Sequence, residues 1–230
     1  MKNLVVLSGA GMSAESGIPT FRGADGTWEN HRIQDVATPE AWAVNPQLVL
    51  RFYNERRKRL LEVGPNEGHH ILASLEAHFR VHIVTQNVDN LHERAGSSSI
   101  LHLHGELIKS RSTAYPELVY PIEGWELKWG DLCERGSQLR PHIVWFGEPV
   151  PMIEPAIDVM RKADCVIIIG TSMQVYPAAG LIHEAPAACP KYVIDPNAPS
   201  ISGVANLKVI REGASAGMER VRNILMEADF

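Results

Sequence analysis

The stretch "LSGAGMSAESGIPTFRG", residues 7–23, continues directly from the first apolar run of the chain, "LVVL" at 4–7. It begins like a dinucleotide-binding turn, with a strand that runs into Gly9-Ala10-Gly11, but the third glycine of that fingerprint is missing. The acidic residue that would bind a ribose about 20 positions further on, after a second strand, is missing as well. The stretch therefore predicts a nucleotide-binding α/β fold and disfavours a hydride-transfer enzyme.

Five more short apolar runs resemble "LVVL". They are "VHIV" (81–84), "ILHL" (100–103), "CVIIIG" (165–170), "YVI" (192–194) and "LKVI" (207–210). Because both faces of these runs are apolar, they are typical of strands in a parallel sheet that helices cover. Helical patterns lie between them at 46–61, 69–78, 155–161 and 215–227. We therefore predict an α/β fold, a Rossmann-like doubly wound parallel sheet.

Two segments interrupt the alternation of strands and helices. Residues 27–76 carry helical patterns without a strand, and residues 105–141 are irregular and rich in proline and glycine. We interpret both as insertions that together form a smaller domain. The Rossmann-like nucleotide-binding domain would then consist of residues 1–26, 77–104 and 142–230.

The composition of the chain limits its partners. A net charge of −5 argues against nonspecific binding to nucleic acid or to an anionic membrane. No apolar run approaches the roughly 20 residues of a membrane helix. The three cysteines are widely spaced, which suits a reducing compartment. We expect a cytoplasmic protein; its oligomeric state is left open, with a monomer as the expectation.

Five of the six predicted strands are followed by small or hydrogen-bonding residues. These segments are 8–11, 85–89, 170–172, 195–197 and 211–215. In an open parallel sheet, ligands bind at the carboxyl ends of the strands. Five such ends indicate a nucleotide ligand. The alternative is that strand ends need turns, in which glycine, asparagine and aspartate are common for conformational reasons alone.

Six motifs in order make the chain resemble the sirtuins, the NAD-dependent protein-lysine deacylases. They are "GAGMSAESGIPTFRG", "TQNVDNLHERAG", "LHLHGEL", "RPHIVWFGE", "GTSMQVYPAAG" and "REGAS". The resemblance implies that NAD is consumed as a co-substrate. An acyl group would pass from lysine, in a protein or peptide, to ADP-ribose, and nicotinamide would be released.

The resemblance also assigns an NAD site position by position. The matching residues are Gly9, Ala10, Gly11, Glu15, Phe21, Arg22, Gln86, Asn87, Asp89, Gly170, Thr171, Ser172, Asn197 and Ala214. Phe21 would shield the ribose after nicotinamide leaves. Gln86, Asn87 and Asp89 would contact the ribose and the nicotinamide. Asp195 stands where many relatives have asparagine, so the chain departs from the family at that contact.

His104 and Asn87 are the catalytic candidates. Period-two alternation puts His102 and His104 on one face of a strand, so spacing does not choose between them, and a lone histidine is more often structural. The resemblance selects His104 as the general base that takes a proton from a ribose hydroxyl.

The helical segment "NPQLVLRFYNERRKRLLE" indicates which acyl group is removed. Leu48, Val49, Phe52, Tyr53 and Leu60 share one face of this helix. Arg56 falls near the centre of that face, where a guanidinium needs an anionic partner. The rest of the basic run 56–59 is interpreted as a solvated helix face. Two alternatives are an internal carboxylate that pairs with Arg56 and a side chain that extends to solvent.

Sirtuins that remove succinyl, malonyl or glutaryl groups have the same Tyr-x-x-Arg spacing. The resemblance implies that Tyr53 and Arg56 bind the acyl carboxylate and that Ala37 leaves room for it. Acetyl-lysine would then be a weaker substrate. The resemblance also places the peptide between two segments, whose substrate-binding residues would be Val144, Phe146, Gly147, Glu148, Val175 and Tyr176.

Most sirtuins bind a zinc ion through four cysteines between the "HGE" and "RPH" motifs. Residues 105–141 contain Cys133 as their one cysteine, so we predict no zinc. Four aromatic residues would pack the insert instead, namely Tyr115, Tyr120, Trp125 and Trp129. Two rival functions stay open, an ADP-ribosyltransferase that uses the same NAD site and a noncatalytic NAD-binding module.

Overall fold

Six strands form one parallel sheet. The computed structural model describes residues 1–20, 27–28, 31–198 and 201–227. The strands are β1 (Asn3–Ser8), β4 (Arg80–Thr85), β5 (Ile100–His102), β9 (Cys165–Ile169), β10 (Lys191–Ile194) and β11 (Leu207–Ile210). They lie side by side in the order β11-β10-β9-β1-β4-β5. The predicted doubly wound sheet is confirmed.

The register of the sheet brings the carboxyl ends of the strands level with one another. Ser8 lies opposite both Thr85 and Ile169, and Ile194 pairs with Ile169 and with Ile210. After β1 the chain passes to β4, which pairs with one edge of β1, and later to β9, which pairs with the other edge of β1. The turns after β1, β4 and β9 therefore meet at the topological switch point of the sheet, where α/β proteins bind ligands.

Helices cover both faces of the sheet. Helices α4 (Glu67–Ser74) and α7 (Ala214–Glu227) pack on the face that carries Leu4 and Val6. Helix α6 (Ile153–Met160) and a 3₁₀ helix (Ala178–Glu184) pack on the opposite face. Helix α4 lies within the predicted insert 27–76 but belongs to the core of the main sheet.

The smaller unit combines helices with antiparallel strands. Its elements are β2 (Thr27–Trp28), β3 (His31–Arg32), α1 (Ile33–Val36), α2 (Pro39–Val44), α3 (Pro46–Glu62), β6 (Gly105–Ser112), β7 (Val119–Pro121) and β8 (Leu139–Ile143). Strands β2 and β3 pair where no strand was expected, and β7-β6-β8 form a sheet in the segment read as irregular. These strands were missed because short antiparallel strands with a polar face lack a continuous apolar run. Helix α5 (Leu91–Arg94) follows β4.

Helix α3 begins directly after Asn45, whose side chain accepts a hydrogen bond from the Leu48 N–H at 3.0 Å. The interpretation of residues 57–59 as a solvated face was wrong at Arg57, whose side chain is fully buried. Its Nε donates to the Leu107 carbonyl at 2.6 Å, and its Nη1 donates to the Trp125 carbonyl at 2.7 Å. The error arose because these carbonyl acceptors come from segments 50 or more positions away in the chain.

The observed packing of residues 105–141 also differs from the predicted packing. Trp125 and Trp129 lie outside any helix and remain 37 and 56% exposed. Hydrogen bonds of Asn54 and Arg57, here called the polar clasp, join this segment to α3 instead. Asn54 donates from Nδ2 to the Leu127 carbonyl and accepts from the Leu127 N–H, both at 3.0 Å. Asn54 Oδ1 also accepts from Arg57 Nη1 at 2.7 Å.

A membrane-crossing helix would need more length and more apolar character than any helix within the described ranges has.

Candidate functional site

A cavity of about 790 Å³ lies at the carboxyl ends of the strands, between the main sheet and the smaller unit. The structure brings nearly all the predicted site residues together around it. They are Gly9, Ala10, Gly11, Glu15, Ala37, Tyr53, Arg56, Gln86, Asn87, Asp89, His104, Val144, Phe146, Gly147, Glu148, Gly170, Thr171, Ser172, Val175, Tyr176, Asn197 and Ala214. Phe21 and Arg22 lie outside the described residues.

The glycine turn after β1 packs directly on the turn after β9. The Gly11 N–H donates to the Gly170 carbonyl at 2.8 Å, and a Cβ on Gly11 would lie 2.6 Å from the Gly170 Cα. Gly170 has φ of +64°, and a Cβ there would lie 2.1 Å from the Met12 nitrogen. Only glycine, which has no Cβ, fits these close backbone contacts and the positive φ of Gly170. The two turns thus form one backbone surface that opens into the cavity.

A buried hydrogen-bonded group positions Asn87. Ser13 Oγ donates to Asp89 Oδ2 at 2.9 Å and accepts from Asn87 Nδ2 at 3.2 Å. Asp89 also accepts from the Leu91 N–H at 3.2 Å. Burial raises the pKa of Asp89 in spite of these bonds. Ser13 was not among the predicted site residues, although it stands inside the first motif.

Two acidic residues at the rim of the cavity shape its loops. Glu15 accepts from the Ser215 N–H at 3.2 Å and from the Ser215 hydroxyl, which ties the first turn to the start of α7. Asp195 Oδ1 accepts from the Asn197 N–H at 2.7 Å. Asp195, the departure from the family pattern, therefore closes the turn that presents Asn197.

The two candidate histidines occupy different surroundings because β5 ends at His102. His104 lines the main cavity, and its Nδ1 lies 3.0 Å from the Gln86 carbonyl oxygen. Since a carbonyl only accepts, Nδ1 carries the hydrogen and Nε2 keeps its lone pair. Burial lowers the pKa of His104, which the Gln86 carbonyl offsets only in part.

His102 lines a second cavity of about 410 Å³ instead. Its Nε2 lies 2.7 Å from Glu93 Oε1, and its Nδ1 lies 3.1 Å from the Asn87 carbonyl oxygen. Burial alone would lower the pKa of His102, but the hydrogen bond and charge of Glu93 outweigh it and raise the pKa. The structure thus separates two residues that the strand pattern placed on one face.

Tyr53, Arg56 and Ala37 line the same cavity, from the smaller unit. Tyr53 is fully buried, and its hydroxyl oxygen accepts from Trp145 Nε1 at 3.1 Å. The Arg56 guanidinium carbon lies 5.5 Å from the centre of the Phe52 ring, and its Nε and Nη1 are buried. Burial raises the pKa of Tyr53, so its phenol stays protonated.

The two predicted peptide-binding segments border the cavity opening. Phe146 and Tyr176 are 44 and 75% exposed there. The Glu148 carboxylate is committed to internal partners, since it accepts from Arg140 at 2.6 Å and from the Trp145 N–H at 2.8 Å. Any contact of Glu148 with a peptide would therefore involve its backbone.

A metal site is not formed by the side chains in the described part of the chain, since no three histidine, cysteine, aspartate or glutamate residues there are grouped to hold an ion. Cys133 is buried with a free thiol, and its Sγ lies 3.5 Å from Ser112 Oγ as a donor. One cysteine thiol beside a serine hydroxyl does not supply the four cysteine ligands that the zinc module of the family uses.

A doubly wound sheet with paired glycine turns, polar strand ends and a second unit beside them defines a Rossmann-like nucleotide-binding protein. The model of the Sir2 family matches residues 9–177 of the chain. The chain belongs to the Sir2 family, the sirtuins, which confirms the resemblance read from its motifs.

Curated relatives match over almost their whole length. The chain is 54% identical over 233 residues to an NAD-dependent protein deacylase of Bacteroides thetaiotaomicron, with 99% of this chain and 100% of the relative covered. It is 56% identical over 227 residues to an NAD-dependent protein deacylase of Helicobacter pylori, with 99% of each covered.

Solved structures of the family superpose closely. A Sir2 homologue in complex with NAD is 37% identical, with a TM-score of 0.87 and coverage of 98% of this chain and 90% of that one. A Sir2 protein with a deacetylated p53 peptide and 3′-O-acetyl ADP-ribose is 29% identical, with a TM-score of 0.80 and coverage of 96 and 92%.

Proposed function

We propose that this protein is an NAD-dependent protein-lysine deacylase that prefers succinyl-, malonyl- or glutaryl-lysine and removes acetyl groups more weakly. Membership of the Sir2 family and the curated relatives support NAD-dependent deacylation of proteins. One observation carries the acyl preference: a buried tyrosine and an arginine line the cavity that also contains His104 and the glycine turns.

The described residues fit NAD. The paired turns at Gly11 and Gly170 leave backbone, rather than side chains, facing a pyrophosphate. Asn87 and Asp89 form a fixed polar group at the end of β4, where a ribose and a nicotinamide amide need hydrogen bonds. When bound, NAD supplies the ribose that accepts the acyl group and nicotinamide as the leaving group.

His104 acts as the general base in this proposal. The Gln86 carbonyl holds its Nδ1–H, so the neutral ring presents Nε2 to accept a proton from a ribose hydroxyl. The lowered pKa keeps His104 neutral at physiological pH. Asn87, oriented by Ser13, assists by holding the reacting end of the nucleotide.

The acyl end of the cavity suits a carboxylate. Arg56 offers a charged donor with buried nitrogens, and Tyr53 offers a neutral donor beside it. Ala37, 2% exposed, takes up little of the space that a longer acyl chain requires. Hydrogen bonds to a charged group contribute about 2–3 kcal/mol, which an acetyl group, with no carboxylate, does not gain.

The decisive test compares one peptide with acetyl-, malonyl-, succinyl- and glutaryl-lysine, incubated with enzyme and NAD and analysed by mass spectrometry. We expect Arg56→Met to lower kcat/KM for succinyl-lysine roughly 30- to 150-fold more than for acetyl-lysine, as 2–3 kcal/mol implies. Arg51→Met is the matched control, since Arg51 is exposed on the same helix.

Equal losses on both acyl groups would show that Arg56 is structural and would refute the acyl preference. Labelled NAD separates the rival reaction: ADP-ribose retained on protein, without acyl transfer, would identify an ADP-ribosyltransferase. NAD binding without release of nicotinamide from any acyl peptide would refute deacylation itself.

A further inference from the structure

The hydrogen bond at the Tyr53 hydroxyl has a defined direction. An indole N–H can only donate, so at 3.1 Å the Tyr53 oxygen accepts from Trp145 Nε1. One lone pair of the phenol oxygen is thereby used, and the phenolic hydrogen is directed away from Trp145. Both rings are buried, with Trp145 2% exposed, and both line the cavity.

The Trp145 ring is itself held from several sides. Its backbone N–H donates to Glu148 Oε2 at 2.8 Å, and the Arg140 guanidinium carbon lies 3.2 Å from the centre of its ring. Arg140 also donates to Glu148 at 2.6 Å. Trp42 packs against the same indole, with 5.8 Å between ring centres. These contacts fix the orientation of the indole ring, so that its N–H points at the Tyr53 oxygen.

We propose that Trp145 is a positioning residue for acyl specificity: its N–H occupies the acceptor side of Tyr53, so that Tyr53 serves as a hydrogen-bond donor to the acyl carboxylate. The proposal rests on the proposed preference for acidic acyl groups and adds the residue that enforces it. Trp145 acts through Tyr53 and does not touch the carboxylate.

The chemistry of the acyl groups supports this arrangement. A carboxylate only accepts hydrogen bonds, so a phenol committed as a donor matches it, and a phenol free to turn matches it less well. Arg56 supplies positive charge in the same part of the cavity. Burial raises the pKa of Tyr53, and the nearby charge of Arg56 lowers it in part. An acetyl group ends in a methyl and gains nothing from the direction of the phenolic hydrogen.

The test is a double-mutant cycle of Trp145→Phe and Tyr53→Phe, assayed with succinyl and acetyl forms of one peptide at saturating NAD. We expect Trp145→Phe to lower the succinyl-to-acetyl ratio of kcat/KM roughly fivefold to tenfold, through the KM for the succinyl peptide. In the Tyr53→Phe background the same change should leave that ratio unaltered, because the hydroxyl it orients is gone.

Replacement of Trp145 by benzothienylalanine, an isostere with sulfur in place of N–H, is the packing control. It keeps the ring shape and should reproduce the ratio change. An unchanged ratio in this isostere, or a ratio change by Trp145→Phe that persists without the Tyr53 hydroxyl, would overturn the role of Trp145 while the wild-type preference for succinyl stands. A wild-type enzyme without that preference would overturn both proposals.

Discussion

His102 and His104 stand two positions apart, yet their environments move their pKa values in opposite directions. Glu93 raises the pKa of His102 and favours its charged form. The Nδ1 of His104 lies 3.0 Å from the Gln86 carbonyl oxygen, and burial lowers the pKa of His104. A general base must be neutral to accept a proton, so the physical chemistry of the two sites favours His104 for that role.

The pH dependence of kcat/KM tests this assignment. Protonation of His104 removes the base, so activity falls as the pH drops through the pKa of His104. Because that pKa is lowered, we expect the acid limb of the profile to lie below the ordinary histidine value of about 6.5. A steady-state profile from pH 5 to 9 with a saturating second substrate measures it.

His104→Ala provides the control, since it should abolish deacylation while NAD still binds. Substantial turnover in this variant would reject His104 as the base. An acid limb well above 6.5 would instead implicate a group with a raised pKa, such as His102.

The site residues that the six motifs assign could be predicted to face one cavity, and those that the structure describes line it. Ser13 and Trp145 could not be recognised in the same way. Their importance lies in hydrogen bonds to Asp89 and Tyr53, which stand 76 and 92 positions away. A sequence pattern contains no information about such distant pairings without the fold.

At the scale of the element, α3 carries two adjacent arginines that serve different purposes. Arg56 lines the cavity, and Arg57 enters the interior. Successive helical positions are about 100° apart, so both cannot share one direction. The apolar pattern centred the buried face on Arg56 because Asn54 and Arg57 count as polar. In the structure Arg57 donates to the carbonyls of Leu107 and Trp125, and Asn54 donates to the Leu127 carbonyl, so the interior accommodates both side chains.

We expect Arg57→Met to destabilise the protein by about 2–3 kcal/mol, because buried carbonyl acceptors lose charged donors. For a chain of this size, that corresponds to a drop in Tm of roughly 5–10 °C. Burial already lowers the pKa of Arg57 to about 10, which limits the net gain from its charge. Thermal unfolding followed by circular dichroism measures the change.

Arg51→Met on the exposed side of α3 should change Tm little. A Tm for Arg57→Met equal to that of this control would show that the three hydrogen bonds of Arg57 do not stabilise the clasp between α3 and residues 105–141.

At the scale of the whole molecule, the parallel sheet and the presence of a smaller inserted unit could be predicted, but the strands inside that unit could not. Six apolar runs, five of them followed by a polar turn, define the strands. Because crossovers between parallel strands are right-handed as a rule, few topologies are left. The smaller unit is held by short antiparallel strands and by side-chain bonds to distant carbonyls such as Leu127. Neither feature produces a periodic pattern in the sequence.

The same polar clasp leads to a prediction about metal removal. A structural zinc needs four ligands, usually cysteines, and residues 105–141 contain only Cys133, which is buried beside Ser112. Since Arg57 and Asn54 join this segment to α3, we expect EDTA dialysis to leave Tm and deacylase activity unchanged, and elemental analysis to find far less than one zinc per chain. Stoichiometric zinc whose removal lowers Tm would mean that ligands outside this segment complete a site, and the clasp would then be secondary to the metal.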